Sequence, residues 1–155
     1  MVRAFFIFKG EFMYYLKASA TFDSAHFLSG YNGKCANIHG HTWKTEVSVS
    51  AETLEETGEK RGMVIDFSDL KAAVRSLAKR FDHTLIYETG SLSDRALSVL
   101  TEEGFSLTAF PLRPTAENFA KYFYKELSGS LPVRRVTVYE TPDNCAGYEE
   151  DKACR

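Results

Sequence analysis

The sequence predicts an α+β fold, because two β-type patterns precede two helical patterns and a third β-type pattern follows them. Apolar and polar side chains alternate from Phe12 to His26 and again from about His39 to Ala51, which is the period of a half-buried strand. Residues 66–81 and 115–128 each carry one apolar stripe at helical spacing. Two-residue alternation returns from Val133 to Glu140. This order is typical of a sheet with helices packed on it.

Length and composition indicate an ordinary globular protein. The 155 residues favour one domain over residues 1–155, with 44% apolar and 26% charged side chains. The net charge of -2 gives no overall basic field for nucleic acid. The apolar run Ala4–Phe8 is too short for a signal peptide or a membrane span, and three cysteines make no disulfide framework. We therefore expect a cytoplasmic protein without nucleic-acid or membrane partners, in which residues 1–12 are an extension.

The first two predicted strands both place histidine on their apolar face. In the first strand the even positions are mostly apolar, and His26 shares their parity. In the second strand His39 and His41 lie two residues apart, with the same parity as Trp43. A glycine-containing loop over residues 28–36 joins the two strands. We therefore expect three imidazole rings to converge where the two strands meet.

Three converging imidazoles are the ligand set of an open zinc site, in which the fourth position is left for water or substrate. Cys35 lies four residues before His39, where a thiolate could act beside the metal or join it. One alternative is a pair of hydrogen-bonded core histidines with a third histidine on the surface. Another is a structural zinc site that Cys35 closes.

The first helical pattern ends next to a second group of reactive residues. Asp66 or Ser68 can cap this helix, which ends near Arg80 or Phe81. Asp82 and His83 follow at once, and a carboxylate can orient a histidine ring if the two meet in space. The residues alone favour a plainer alternative, a polar helix exit where histidine suits the negative end of the helix dipole.

The segment before the second main helix has weaker patterns. Ser93–Glu103 is compatible with a helix that turns Ala96, Leu97 and Leu100 inward, and residues 105–110 with a short extended piece. The second main helix then begins at Thr115 as its cap, with Glu117 in the first turn. Its apolar stripe consists of Ala116, Phe119, Ala120, Phe123 and Leu127.

The last predicted strand carries an acidic residue on its apolar face. Glu140 shares parity with Val136 and Val138, and a carboxylate among apolar side chains is costly without a partner. It could accept two N–H bonds from one edge of a ligand. The alternative is a surface glutamate at the end of a strand. The tail from Asn144 to Glu149 is compatible with a fourth short strand, with Tyr148 packing on the core.

Six short motifs then occur in a characteristic order. They are FDSAHFL at 22–28, CANIHGHTW at 35–43, VIDFSDLK at 64–71, FDHTLI at 81–86, PTAENFA at 114–120 and VYETPDN at 138–144. Together they span nearly all of residues 14–148. With these motifs the chain resembles the 6-pyruvoyltetrahydropterin synthase and 6-carboxytetrahydropterin synthase family.

The resemblance implies a T-fold, or tunnelling fold. This is an α+β arrangement of a four-stranded antiparallel sheet with two main helices on one face. It also implies a homo-oligomer, a trimer or a hexamer of stacked trimers, with active sites between subunits. Residues 84–113 are longer than in compact members of the family and are expected to be a variable insertion.

The resemblance also implies roles for single residues. The Zn²⁺ ligands that it implies are His26, His39 and His41. It implies that Cys35 is the general base, with Asp82 and His83 as relay partners that can come from a neighbouring protomer. The substrate-binding residues that it implies are Glu140, as the pterin anchor and a catalytic residue, together with Thr115 and Glu117.

The spacing Cys-x-x-x-His-Gly-His is similar to that of the bacterial and archaeal carboxy-forming enzymes. The resemblance therefore implies conversion of 7,8-dihydroneopterin triphosphate to 6-carboxy-5,6,7,8-tetrahydropterin, with loss of acetaldehyde and triphosphate, in 7-deazaguanine and queuosine biosynthesis. Two enzymatic alternatives keep the fold: formation of 6-pyruvoyltetrahydropterin, and cleavage of sepiapterin-like side chains. A third alternative is a non-catalytic module that binds zinc and a pterin.

Overall fold

Residues 13–150, which the computed structural model describes, form six strands and three helices. In chain order they are β1 (Tyr14–His26), β2 (His39–Ala51), α1 (Phe67–Lys79), β3 (Leu85–Glu88), α2 (Asp94–Glu102), β4 (Leu107–Phe110), α3 (Ala116–Ser128), β5 (Val133–Thr141) and β6 (Asn144–Tyr148). The expectation that residues 1–12 are an extension lies outside this range. Within it, no helix has the length and apolar character needed to cross a membrane.

The strands form one sheet in the order β4-β3-β1-β2-β5-β6. Strands β1, β2, β5 and β6 are antiparallel neighbours, as predicted, but β3 runs parallel to both β1 and β4. The predicted four-stranded antiparallel sheet is therefore too small, and the whole sheet is mixed. Strand β3 has no counterpart among the predicted elements, because four residues are too few for a period to stand out.

An uninterrupted register between β1 and β2 places the histidines. The ladder runs from Tyr14 opposite Ala51 to His26 opposite His39, with no bulge. His41 lies two residues from His39 and therefore on the same face of the sheet. Phe22 and Trp43, also opposite each other, are buried on this face. The predicted parity of the three histidines is confirmed.

Helices α1 and α3 cover the face of the sheet that bears Trp43. The ring of Phe119 on α3 lies 5.0 Å from that of Trp43, centroid to centroid, and Phe81 after α1 lies 5.9 Å from Phe22. These rings belong to one continuous buried cluster. The prediction of two main helices on one face is therefore confirmed. The shorter α2 has no fully buried residue, and the three positions predicted to face inward are half-buried.

Side-chain caps fix where the helices begin. Asp66, rather than Ser68, caps α1 by accepting a hydrogen bond from the Ser68 N–H at 2.6 Å. Thr115 caps α3 as predicted, because its hydroxyl accepts from the Asn118 N–H at 3.4 Å. Such caps contribute about 1 kcal/mol each. The Thr115 cap places the start of α3 beside the histidine end of β1.

Candidate metal centre and the adjoining cavity

The three imidazole rings converge at the end of the aromatic core. One ring nitrogen from each of His26, His39 and His41 lies within 4.8 Å of the others. The ring centroids of His26 and His39 are 4.5 Å apart. Trp43 packs edge-on against His26 and His41, with centroids at 4.9 and 5.5 Å. The predicted convergence is confirmed, and the core residue Trp43 packs against two of the three rings.

Backbone carbonyls select the tautomers of two rings. His26 Nδ1 lies 2.8 Å from the Pro114 carbonyl oxygen, and His39 Nδ1 lies 2.8 Å from that of Asn37. A carbonyl oxygen only accepts hydrogen bonds, so both Nδ1 atoms carry the proton and donate. The lone pair is then on Nε2 of each ring. Metal-binding histidines are commonly held in this way.

Burial keeps the central ring neutral. Desolvation lowers the pKa of His26 to about 4; the hydrogen bond to Pro114 opposes this shift, and the nearby His39 and His41 add to it. Desolvation also lowers the pKa of His41, against the attraction of Glu140. Nε2 of His26 and Nε2 of His41 are both buried without a hydrogen-bond partner. A buried ring nitrogen without a hydrogen-bond partner has lost its hydration without gaining an interaction in exchange, which costs free energy.

A carboxylate faces these nitrogens. Glu140 Oε1 lies 3.5 Å from His26 Nε2 and 3.8 Å from His41 Nε2. Because His26 is neutral with its proton on Nδ1, its Nε2 lone pair points toward a negative oxygen, which is unfavourable without a cation between them. The three imidazole nitrogens therefore fit a divalent metal ion, which would satisfy the two orphaned Nε2 atoms and separate them from the carboxylate.

Without metal, the protein should lose stability as the pH falls. The pKa of His26 is about 4 in the folded protein and 6.5 as its ordinary value. Below pH 6.5 the unfolded chain therefore takes up a proton that the folded chain does not. Stability is full above this pH and falls until about pH 4. We expect a loss of about 2 kcal/mol in unfolding free energy between pH 7 and pH 5, measured by urea denaturation after chelation.

The control for this measurement is His26→Gln. Its side-chain amide can still donate to the Pro114 carbonyl but does not titrate in this range. The unfolding free energy of the variant should therefore depend less steeply on pH than that of the wild type. An equal pH dependence in the two proteins would remove His26 as the cause.

Cys35 and the predicted substrate-binding residues share one cavity. Cys35 lies half-buried in a short 3₁₀ turn, Lys34–Ala36, and its carbonyl accepts from the Leu28 N–H at 2.8 Å. The cavity has a volume of about 290 Å³, and its lining includes Cys35, Thr115, Glu117 and Glu140. Glu140 therefore connects this cavity to the histidine cluster. The cluster itself contains three histidines and not Cys35.

Asp82 and His83 do meet in space. Asp82 accepts a hydrogen bond from the Asp23 N–H at 2.9 Å, and His83 Nδ1 lies 3.0 Å from the second carboxylate oxygen of Asp82. The Asp23 N–H, with a smaller contribution from His83, lowers the pKa of Asp82. His83 adopts a left-handed φ of 55°, which is uncommon outside glycine. The contact that the relay prediction requires is therefore present, and the relay role itself stays a prediction.

This pair does not face the Cys35 cavity of its own chain. The His83 side chain is 78% exposed. His83 borders a different cavity, of about 730 Å³, whose lining also includes Ile38, Phe105 and the predicted metal ligand His41 but not Cys35. The structure thus brings together seven of the predicted site residues around the histidine cluster and the Cys35 cavity, and leaves Asp82 and His83 outside that cavity. The seven are His26, His39, His41, Cys35, Thr115, Glu117 and Glu140.

Two groups at the site have no counterpart in the sequence predictions. They are the carbonyls of Asn37 and Pro114, which hold the rings of His39 and His26. Every residue has a carbonyl, so the residue type gives no signal of this role. Both residues do lie inside the short motifs that carry the family resemblance.

Comparisons with known protein sequences agree over nearly the whole chain. The sequence profile of the 6-pyruvoyl tetrahydropterin synthase family matches residues 15–151. A Haemophilus influenzae protein named 6-carboxy-5,6,7,8-tetrahydropterin synthase is 36% identical over 142 residues, which cover 89% of this chain and all of the relative. The enzyme of the same name from Aquifex aeolicus is 33% identical over 129 residues, covering 76% of this chain and 77% of the relative.

Solved structures share the fold at lower sequence identity. An uncharacterized protein from Wolinella succinogenes superposes with a TM-score of 0.73 at 18% identity, covering 90% of this chain and 99% of that one. The 6-pyruvoyl tetrahydropterin synthase of Plasmodium vivax superposes with a TM-score of 0.66 at 20% identity, covering 90% and 98%. The predicted T-fold is confirmed. The chain belongs to the 6-pyruvoyl tetrahydropterin synthase family of enzymes.

Proposed function

We propose that this protein is a zinc-dependent 6-carboxy-5,6,7,8-tetrahydropterin synthase. It converts 7,8-dihydroneopterin triphosphate, with release of acetaldehyde and triphosphate, as a step of 7-deazaguanine and queuosine biosynthesis. The observation that carries the proposal is the convergence of three imidazole nitrogens within 4.8 Å beside the cavity that holds Cys35 and Glu140. The names of the two sequence relatives support the carboxy product.

In this proposal His26, His39 and His41 hold Zn²⁺ through Nε2. The bound ion would supply Lewis acidity toward the hydroxyl oxygens of the substrate side chain. The carbonyls of Pro114 and Asn37 keep the Nε2 lone pairs available by accepting from Nδ1–H of His26 and His39. Trp43 and the end of the core exclude water from the buried side of the cluster.

Cys35 is the general base of the proposed reaction. Its thiolate takes the proton from C1′ of the substrate side chain, because the thiolate is the basic form of cysteine. Asp82 orients His83, which exchanges protons with the reaction centre. Since His83 lines a cavity that does not include the Cys35 of its own chain, the pair acts on the Cys35 of a neighbouring protomer in a homo-oligomer, a trimer or a hexamer.

The proposed conversion balances without an external oxidant or reductant. Triphosphate leaves from C3′, and the two electrons that the side chain loses are gained by the dihydropterin ring, which becomes a tetrahydropterin. One water is consumed when the C1′–C2′ bond breaks. Its oxygen ends in the carboxylate at C1′, and C2′ and C3′ leave as acetaldehyde. The chain must therefore bind a pterin, an anion and one water.

Replacing Glu140 with glutamine should weaken pterin binding far more than metal binding. A carboxylate can accept two N–H bonds from the pterin edge, whereas an amide offers one acceptor and presents a donor in place of the other. We expect the dissociation constant for a pterin ligand to rise by about 10²-fold, since a charged hydrogen bond is worth about 1.5–3 kcal/mol. Fluorescence titration with a pterin and metal analysis measure the two effects.

The matched control is Glu117→Gln, which changes a second carboxylate on the same cavity but at the start of α3. Its effect on pterin affinity should be smaller, because Glu140 is the carboxylate closest to the histidines. If Glu140→Gln lowers metal affinity as strongly as pterin affinity, Glu140 is a metal ligand rather than the pterin anchor.

Product identification tests the proposed function directly. Zinc-loaded protein is incubated with 7,8-dihydroneopterin triphosphate, and the products are identified by mass spectrometry. The expected products are 6-carboxytetrahydropterin and acetaldehyde in equal amounts. Accumulation of 6-pyruvoyltetrahydropterin as the end product would identify the pyruvoyl-forming enzyme instead. Zinc and pterin binding without turnover would identify a non-catalytic module.

A further inference from the structure

A turn before α3 contacts both halves of the candidate site. Arg113 donates from Nη2 to the carbonyl of Ser29 at 2.6 Å, across 84 residues of sequence. The backbone carbonyl of Arg113 accepts from the side-chain amide of Asn118 at 2.9 Å, and from the Thr115 N–H at 2.8 Å. The turn is thus tied to α3 on one side and to the loop after β1 on the other.

The next residue of this turn holds a predicted metal ligand. The Pro114 carbonyl accepts from His26 Nδ1 at 2.8 Å, and His26 is 1% exposed. Proline has no N–H of its own and a fixed φ. The position of its carbonyl is therefore set by its neighbours, of which Arg113 is the one with a long-range contact.

The other end of the Arg113 contact lies at the base of the Cys35 loop. Ser29 follows Leu28, whose N–H donates to the Cys35 carbonyl at 2.8 Å. Gly30 comes next, with a left-handed φ of +70°, and the Arg113 guanidinium would be 3.9 Å from a Cβ at this position. Arg113 also lies 3.9 Å from the carboxylate of Glu88 at the end of β3. The guanidinium therefore rests on the turn through which the chain passes from His26 toward Cys35.

We propose that Arg113 is a positioning residue that couples the orientation of His26 to the placement of the Cys35 loop. This inference rests on the proposed function, in which His26 binds metal and Cys35 is the base. Arg113 is neither a member of the three-histidine cluster nor one of the residues that line the Cys35 cavity. It acts through two carbonyls, those of Ser29 and Pro114. The expected insertion over residues 84–113 thus ends in a residue that serves the site.

The test titrates metal-free protein with Co²⁺, whose visible absorption reports the coordination geometry. Arg113→Ala should raise the Co²⁺ dissociation constant by about tenfold, because partners that orient a ligand are worth about 10–100-fold in metal affinity or activity. Alkylation of Cys35 by iodoacetamide should also change in rate, since the loop loses its anchor. Arg113→Lys should restore most of both properties, because an ammonium can still donate to the Ser29 carbonyl.

The matched control is Arg80→Ala. Arg80 also uses its guanidinium for two contacts, 2.6 Å to Glu126 and 3.1 Å to Tyr122, and its side chain is 50% exposed against 42% for Arg113. This variant should match Arg113→Ala in melting temperature but keep wild-type Co²⁺ affinity and Cys35 reactivity. Wild-type Co²⁺ affinity, spectrum and alkylation rate in Arg113→Ala would overturn the inference. Failure of the wild type itself to bind Co²⁺ would instead overturn the proposed function.

Discussion

Cys35→Ala should abolish turnover of 7,8-dihydroneopterin triphosphate while leaving the zinc content normal. The thiol lies outside the three-histidine cluster, so its removal takes no ligand atom from the metal. It lines the cavity that also holds Glu140, where alanine has no group that can accept a proton. General bases contribute about 10²–10⁴-fold to rate. We expect a loss of at least this size in kcat, with little change in pterin affinity.

The measurements are steady-state kinetics, metal analysis and pterin titration on the same preparations. Cys145→Ala is a suitable control, because Cys145 on β6 is a second free thiol that lines the same cavity but is not a predicted site residue. Its removal should leave kcat near the wild-type value. Full activity in Cys35→Ala would exclude the thiol from the chemistry. Loss of zinc together with activity would instead show that Cys35 is a ligand, as in the structural-zinc alternative.

The histidine cluster could be predicted because it depends only on strand parity. A half-buried strand shows a period of two along its whole length, and β1 and β2 have 13 residues each. Strand parity alone therefore places His26 and His39 on the same face of the sheet. A single bulge would have reversed one parity, and the β1–β2 ladder has none.

The extent of the sheet could not be predicted in the same way. Strands β3 and β4 have four residues each, and they pair in parallel with strands distant in sequence. Such pairing depends on a crossover, which is α2 between β3 and β4 and includes β2 and α1 between β1 and β3, rather than on any local pattern. The extended piece predicted at residues 105–110 corresponds to β4, and the proline at 111 follows its last residue. Residues 85–88 gave no comparable signal.

The interactions that orient the site residues could not be predicted from the sequence either. The tautomers of His26 and His39 depend on carbonyls that every residue possesses, and the Arg113 contact spans 84 residues. The pairing of Asp82 with His83 depends on the left-handed backbone of His83 and on the Asp23 N–H. Residue types therefore predicted which groups matter, whereas tertiary contacts determine how these groups are aimed.

His39→Ala should remove metal and activity together. His39 belongs to the cluster whose ligand atoms lie within 4.8 Å, so its removal leaves two imidazoles, fewer than the three that an open zinc site requires. Loss of an orienting partner alone costs about 10–100-fold in metal affinity, and loss of a ligand should cost more. His39 is only half-buried at the end of β2, so the fold should tolerate alanine there better than at the buried His26. Metal analysis, activity and melting temperature separate these effects.

His83→Ala is the control, since its exposed ring lies outside the cluster and the zinc content should stay normal. Unchanged zinc in His39→Ala would contradict the ligand assignment, because a site that keeps its metal without this ring cannot be the one described.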